Sequence, residues 1–337
     1  SVTCPATAKD WPMWRGDEQR SGTSTEKLPD DLHLQWKREL PTPRPAWENE
    51  SRLHFDISYH PVVSGKTLIV ASPNDGSVMA FDTDTGSEKW RAFTNGPVRV
   101  APVAAKGKVY VGSDDGYLHC LDEKSGEEIW KVRAAPKDRP EHYHLGNGRL
   151  VSYWPVRGGP VISEDNQTLY FGSGIWPSMG VFVFAVDAES GALKWTNSNS
   201  HYLPDTRIDH NYLHESGISP QGHMSLAGDM LVVANGRSMP ARLDRKTGEL
   251  KHFVQGYRNG DSRVSIAGDY ALVGERGVMD LKTGLEIGAA SFVEAGEEAP
   301  KDWSLKKLDQ FEGPYFQYKF FKGCDHRSVI HDGIVYG

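Results

Sequence analysis

The sequence predicts an all-β protein, a β-propeller of four-stranded blades with long loop insertions and about six to eight blades in the ring. Three observations carry this reading. A short motif recurs, first as Gly76-Ser-Val-Met-Ala-Phe-Asp82-Thr-Asp-Thr-Gly86-Ser-Glu-Lys-Trp90 and again as Gly116 to Trp130 and Val181 to Trp195, with weaker copies at Arg242 to Leu250 and Met279 to Ile287. The turn glycines 86, 126, 191, 248 and 284 are spaced 40, 65, 57 and 36 residues apart, against about 40 residues for a bare blade. Composition agrees, since 35 Gly, 20 Pro and 10 Trp in a chain only 38% apolar describe many short strands and turns rather than amphipathic helices.

The motif is a β-hairpin. An alternating apolar run ends in Asp, whose carboxylate can accept from the N–H groups of the turn. Gly supplies the positive φ that closes it, and a second strand ends in Trp.

Residues 1–54 form an N-terminal extension whose strongest feature is Trp11-Pro-Met-Trp14, expected to anchor on the ring. Within it Leu32 to Leu40 alternates like the last strand of a repeat, so 32–40 is expected to complete a blade begun elsewhere. The propeller is assigned to 55–337. Blades open at Tyr59, Val98, Gly158, Met224 and Arg263, each with an opening strand, a turn (at Gly65 and Gly107 in the first two) and an apolar strand before the hairpin, and a sixth begins at Arg327. Insertions fall at 131–157, 196–222 and 288–323; the first shows neither helical nor strand period.

A formal charge of −7 argues against nucleic acid or an anionic membrane surface as the main partner. No apolar run is long enough for a transmembrane segment. Cys120 falls in a repeat strand and reads as a small buried hydrophobe. Cys4 and Cys324 lie near the two chain ends, which a closed ring brings together; a disulfide between them would imply an oxidising compartment.

The unit Ala-x-Asp-x-x-Thr/Ser-Gly-x-x-x-Trp, present as Ala80 to Trp90 and Ala185 to Trp195, resembles the tryptophan-docking motif of pyrroloquinoline-quinone (PQQ)-like β-propellers. That superfamily includes quinoprotein alcohol dehydrogenases and the BamB assembly lipoproteins. The opening Asp10-Trp-Pro-Met-Trp-Arg-Gly16 is similar to the start of exported propeller proteins of planctomycete type. The resemblance implies blades wedged together by Trp, and a periplasmic or extracellular location. It does not carry the quinone over, because quinoprotein dehydrogenases hold adjacent cysteines beneath the cofactor and no Cys-Cys pair occurs here. No cofactor is expected.

Chemistry-bearing side chains gather in the first two insertions, which leave adjacent blades and so can meet over one face. As a binding module the chain would present a His- and Arg-rich face to a protein partner or an acidic polysaccharide, with Arg157, Arg207, His214, His223 and Arg237 as substrate-binding residues. As an enzyme it would be a polysaccharide lyase or a hydrolase, with His144, Tyr153, Tyr202 and His210 as the catalytic acids and bases of β-elimination. A metal site could draw on His142 and His144, two apart on a strand, and on His210 and His214, four apart. The binding module is the favoured expectation.

Overall fold

The computed structural model describes residues 10–146, 148–203, 207–208, 212–213, 217–253, 260–274, 277–284, 286–289, 329–331 and 334–336. The expectations placed on Cys4, Cys324, His210, His214 and residues 290–328 lie outside them.

Five four-stranded antiparallel blades follow the chain. Blade 1 is β1 (Val62–Ser64), β2 (Thr67–Ala71), β3 (Ser77–Asp82) and β4 (Glu88–Phe93). Blade 2 is β5 (Val103–Ala105), β6 (Lys108–Gly112), β7 (Tyr117–Asp122) and β8 (Glu128–Arg133). A hairpin of β9 (Tyr143–Gly146) and β10 (Arg149–Ser152) occupies the first insertion, correcting the expectation that this stretch lacks strand structure. Its outward positions Tyr143, Leu145 and Leu150 are apolar and its inward ones are not uniformly so, which hid the alternation.

Blade 3 is β11 (Gly158–Ile162), β12 (Thr168–Ser173), β13 (Phe182–Asp187) and β14 (Leu193–Asn197). The second insertion contributes β15 (Arg207–Ile208), paired with β16 (Tyr212–Leu213), and β17 (Gly222–His223), which runs parallel to β11 as a fifth strand of blade 3. Blade 4 is β18 (Ser225–Ala227), β19 (Met230–Asn235), β20 (Ser238–Asp244) and β21 (Leu250–His252). Blade 5 is β22 (Val264–Ala267), β23 (Tyr270–Val273), β24 (Gly277–Asp280) and β25 (Glu286–Ala289), and a sixth sheet is formed by β26 (Val329–His331) and β27 (Ile334–Tyr336).

Each blade is welded to the next by a ring and a glycine. Added Cβ atoms at Gly86, Gly126, Gly191 and Gly248 would strike Trp36, Trp90, Trp130 and Trp195 at 2.4–2.9 Å, so the indoles lie flat on the turns. Each indole N–H also donates to the same turn: Trp36 to the Thr83 carbonyl (2.8 Å), Trp90 to Glu123 (2.8 Å), Trp130 to Glu189 (2.9 Å) and Trp195 to Arg245 (3.1 Å). His252 takes the equivalent place against Gly284. The apolar cores are accordingly shared between blades, as where Val62, Ile69 and Trp90 of blade 1 pack with Val109, Val111 and Leu121 of blade 2.

Residues 32–40 are not a strand, which corrects the expected outer strand. Trp36 nonetheless docks on blade 1 as a fourth-strand Trp of a preceding blade would, so the segment supplies the ring without the ladder.

The N-terminal segment runs along the inner strands. Trp11 pairs with Val63 of blade 1, the Pro12 carbonyl accepts from Ala104 of blade 2, Glu18 from Leu226 of blade 4, Gln19 from Ile266 of blade 5 and Ser21 from Ile330 of the sixth sheet. Arg20 reaches the remaining blade, donating to the Pro160 carbonyl (3.0 Å), to Trp14 (3.0 Å) and to Met224 (2.9 Å). Its complete burial pushes the guanidinium down to about 9, so it stays cationic at neutral pH. Trp14 is buried and stacks on His223 with ring centroids 4.2 Å apart. The expected anchor is therefore an axial plug.

Candidate functional site

The sites proposed from sequence fall into three places. His142, His144 and Tyr153 meet: the Tyr153 ring is 5.5 Å from His142 and 5.4 Å from His144. β9 and the return of β10 put them side by side, with His144 opposite Val151 in the ladder. Burial and the nearby Arg157 cation lower the pKa of His144, which is therefore neutral at neutral pH, and its Nδ1 is buried without a hydrogen-bond partner among the described residues. A neutral imidazole beside a phenol is a base next to an acid.

Arg157 and His223, expected to bind substrate, are buried instead. Arg157 is committed to Asp114 through Nε (2.9 Å) and Nη2 (3.0 Å). His223 accepts from the Ala101 N–H at 3.0 Å and lies between the rings of Trp14 and His60. Arg237 is half-exposed and pairs with Glu50 at 3.6 Å. Tyr202 is exposed at 46%, Arg207 lies in β15, and His210 and His214 lie outside the described residues. The two insertions do share a neighbour, since Phe182 is 6.3 Å from both Trp154 and His201. Among the described residues no group of three or more His, Cys, Asp or Glu could hold a metal ion.

A network absent from the sequence reading underlies this face. Arg157 and Arg99 both grip Asp114, and Arg99 continues to Asp56, with Nε–Asp114 at 2.5 Å and Nη1–Asp56 at 2.6 Å. All four side chains are buried, a chain of alternating charge. Burial opposes the ionised form of Asp114, but the two guanidinium groups outweigh it and hold its carboxyl below the usual range. At Asp56 burial wins and the pKa rises. A signal was available: Pro97-Val-Arg99 and Pro155-Val-Arg157 are the same tripeptide opening consecutive blades.

The network fixes two loops. The Ser152 N–H donates to the Asp114 carbonyl at 2.8 Å, tying down the β9–β10 hairpin. Arg99 donates to the Arg44 carbonyl at 3.1 Å and Asp56 accepts from the Ala46 N–H at 2.9 Å, tying down the Pro-rich link. Trp47 in that link donates to Gln221 at 2.9 Å and meets Trp176 edge-on at 5.8 Å. Above this frame stand exposed apolar side chains, Leu145 at 75%, Leu150 at 66%, Trp176 at 51% and Tyr143 at 45%.

Hairpin blades joined by docked indoles define a PQQ-like repeat β-propeller. The chain belongs to the family described as outer membrane protein assembly factor BamB, whose model matches residues 33–197 and 114–291. Among curated relatives, the BamB assembly factor of Bordetella pertussis is 42% identical over 108 residues, 31% of this chain and 27% of that protein. The dehydrogenase subunit of the quinone alcohol dehydrogenase of Gluconobacter oxydans is 31% identical over 171 residues, 45% of this chain and 22% of that one. The matches thus span about a quarter of those relatives. The solved quinohemoprotein alcohol dehydrogenase of Comamonas testosteroni superposes with a TM-score of 0.55 at 19% identity, over 86% of this chain and 50% of that one. A europium-containing methanol dehydrogenase gives 0.54 at 16%, over 84% and 58%. At such identities the likeness is one of fold. No helix among the described residues is long and apolar enough to cross a membrane.

Proposed function

We propose that this chain is a binding or scaffolding module for a protein partner outside the cytoplasm, docking through the face that carries the β9–β10 hairpin. The observation that carries the reading is the row Tyr143, Leu145 and Leu150, exposed on one side of a hairpin whose root is bonded to a buried charge network. Large apolar side chains held clear of the core on a rigid support suit a protein interface. The family's assembly-factor description agrees. Arg157 and His223 belong to the support rather than to the surface. A quinone fits poorly, because Trp14, Arg20 and His223 fill space along the inner strands.

The test is site-specific photo-crosslinking from position 145 in the exported protein. A discrete protein adduct, weakened at least about tenfold in L145E/L150E, is expected. Failure to form one, or an equal adduct from the remote turn residue Lys124, would overturn the reading.

One observation favours a second reading. Neutral His144 beside Tyr153 could serve as base and acid in β-elimination on a uronic-acid polysaccharide. Ultraviolet detection of unsaturated products, abolished in H144A and Y153F, would establish it; the binding reading expects no such products.

A further inference from the structure

Resting on the protein-docking reading above, we propose that the partner is recognised through carboxylates: the groove beside the hairpin is a binding site for an acidic, extended peptide segment. The groove has a volume of about 390 Å³ and draws three arginines, Arg44, Arg99 and Arg149, against one carboxylate, Glu48. That cationic excess stands out on a chain of net charge −7. Arg99 forms part of its floor, but it is neutralised by Asp56 and Asp114 beneath. Arg44 and Arg149 are exposed, and among the described residues no carboxylate lies within ion-pair distance of either. Most other arginines of the ring faces are paired, including Arg91, Arg157, Arg245 and Arg263.

The two free guanidinium groups are carried on prepared supports. The Arg44 N–H donates to Asn74 Oδ1 at 2.8 Å, Asn74 Nδ2 donates to Thr42 at 2.9 Å, and the Arg44 carbonyl is held by Arg99. Arg149 lies in the ladder opposite Gly146, on the hairpin whose root is bonded to Asp114. Side chains alternate along β10, so Arg149 and Leu150 sit on opposite faces of one strand. Charge on one face and apolar surface on the other offer an acidic segment and its apolar neighbours separate contacts. Prepared supports reduce the ordering cost of binding, and guanidinium forks match carboxylates.

A peptide is favoured over a uronate glycan by the walls. Pro45, Pro73 and Pro97 present rigid apolar edges, no aromatic ring lines the groove for a sugar to stack on, and the Asn74 amide is already used by the link.

Fluorescence polarisation with the purified chain at low salt decides the matter, using a labelled decaglutamate peptide, its decaglutamine counterpart and an oligogalacturonate. Decaglutamate is expected to bind and decaglutamine not to. R44E/R149E should weaken the binding at least about tenfold without moving the thermal midpoint, R44Q/R149Q should weaken it less, and K124E in a remote exposed turn should leave it unchanged. No binding of decaglutamate, equal binding by both double variants, or preference for oligogalacturonate would overturn the proposal. The crosslinked adduct separates the two levels. If it persists undiminished in R44E/R149E, the groove assignment falls and protein docking stands; if the wild type forms none, docking falls whatever the peptide does.

Discussion

The aspartate of each hairpin turn shows how one side chain sets a repeat. Asp82 Oδ1 accepts from the N–H groups of Asp84 (3.1 Å) and Thr85 (3.0 Å), and Asp122, Asp244 and Asp280 repeat the pattern at 2.7–2.9 Å. These bonds favour the ionised form and lower the pKa of Asp82, Asp122 and Asp244, chiefly through the N–H three residues on. A depressed folded pKa adds stability that is present above the unfolded value of about 3.9 and is lost as pH falls through the folded one. Unfolding on acidification should therefore begin below about pH 4 and should be blunted in D82N/D122N/D244N, which are less stable at pH 7; denaturant titrations at pH 3 and 7 check this. His119 behaves oppositely. Burial opposes its charge, but Asp115 (3.0 Å) and Glu128 (2.7 Å) raise its pKa, so its contribution is complete below about 6.5 and disappears as pH rises through the folded value. An NMR titration of His119, with H119Q as reference, should show the raised midpoint. The turn chemistry was legible because Asp, Thr or Ser and Gly recur at fixed offsets.

At the scale of the element, the docked indole joins neighbours that the chain makes in succession. Trp90 is almost fully buried against Gly126, whose φ of +75° and contact with the ring leave no room for a Cβ. W90A should cost about 3–5 kcal/mol, and G126A should also destabilise because it strains the backbone and lifts the ring; equilibrium denaturation measures both. The N-terminal segment makes a parallel case. Arg20→Met removes the donor to three buried carbonyls, each worth about 1–3 kcal/mol when left unmatched, and is expected to lower the denaturation midpoint strongly. The paired Trp residues in this segment pointed to an anchor. Its path along every inner strand was not legible, because the bonds run through backbone carbonyls whose identity leaves no mark on sequence. The same holds for residues 32–40, where alternation suggested a strand and Trp36, Arg38 and Leu40 instead dock on blade 1 through side chains.

For the whole molecule, the repeat made the ring readable and the face only partly so. His142, His144 and Tyr153 converge because the first insertion is one hairpin, whereas Arg157, placed by sequence among ligand-binding groups, is drawn under the surface by Asp114. An acidic residue before a turn glycine looks the same in sequence whether it caps the turn or binds two arginines. The joints are also unequal. Where three other blade contacts use Trp, blade 4 meets blade 5 through His252, a smaller ring. Amides of β22 to β24 should therefore exchange faster than those of β2, β3, β6 and β7, and H252W should narrow the difference; hydrogen-exchange mass spectrometry distinguishes the outcomes.

The axial plug has a consequence for the order of assembly. A ribosome releases Trp11 to Ser21 long before Leu226, Ile266 and Ile330 exist to meet them. This segment is thus made well before the blades it joins, so the nascent chain must hold its hub in waiting until the sixth sheet emerges.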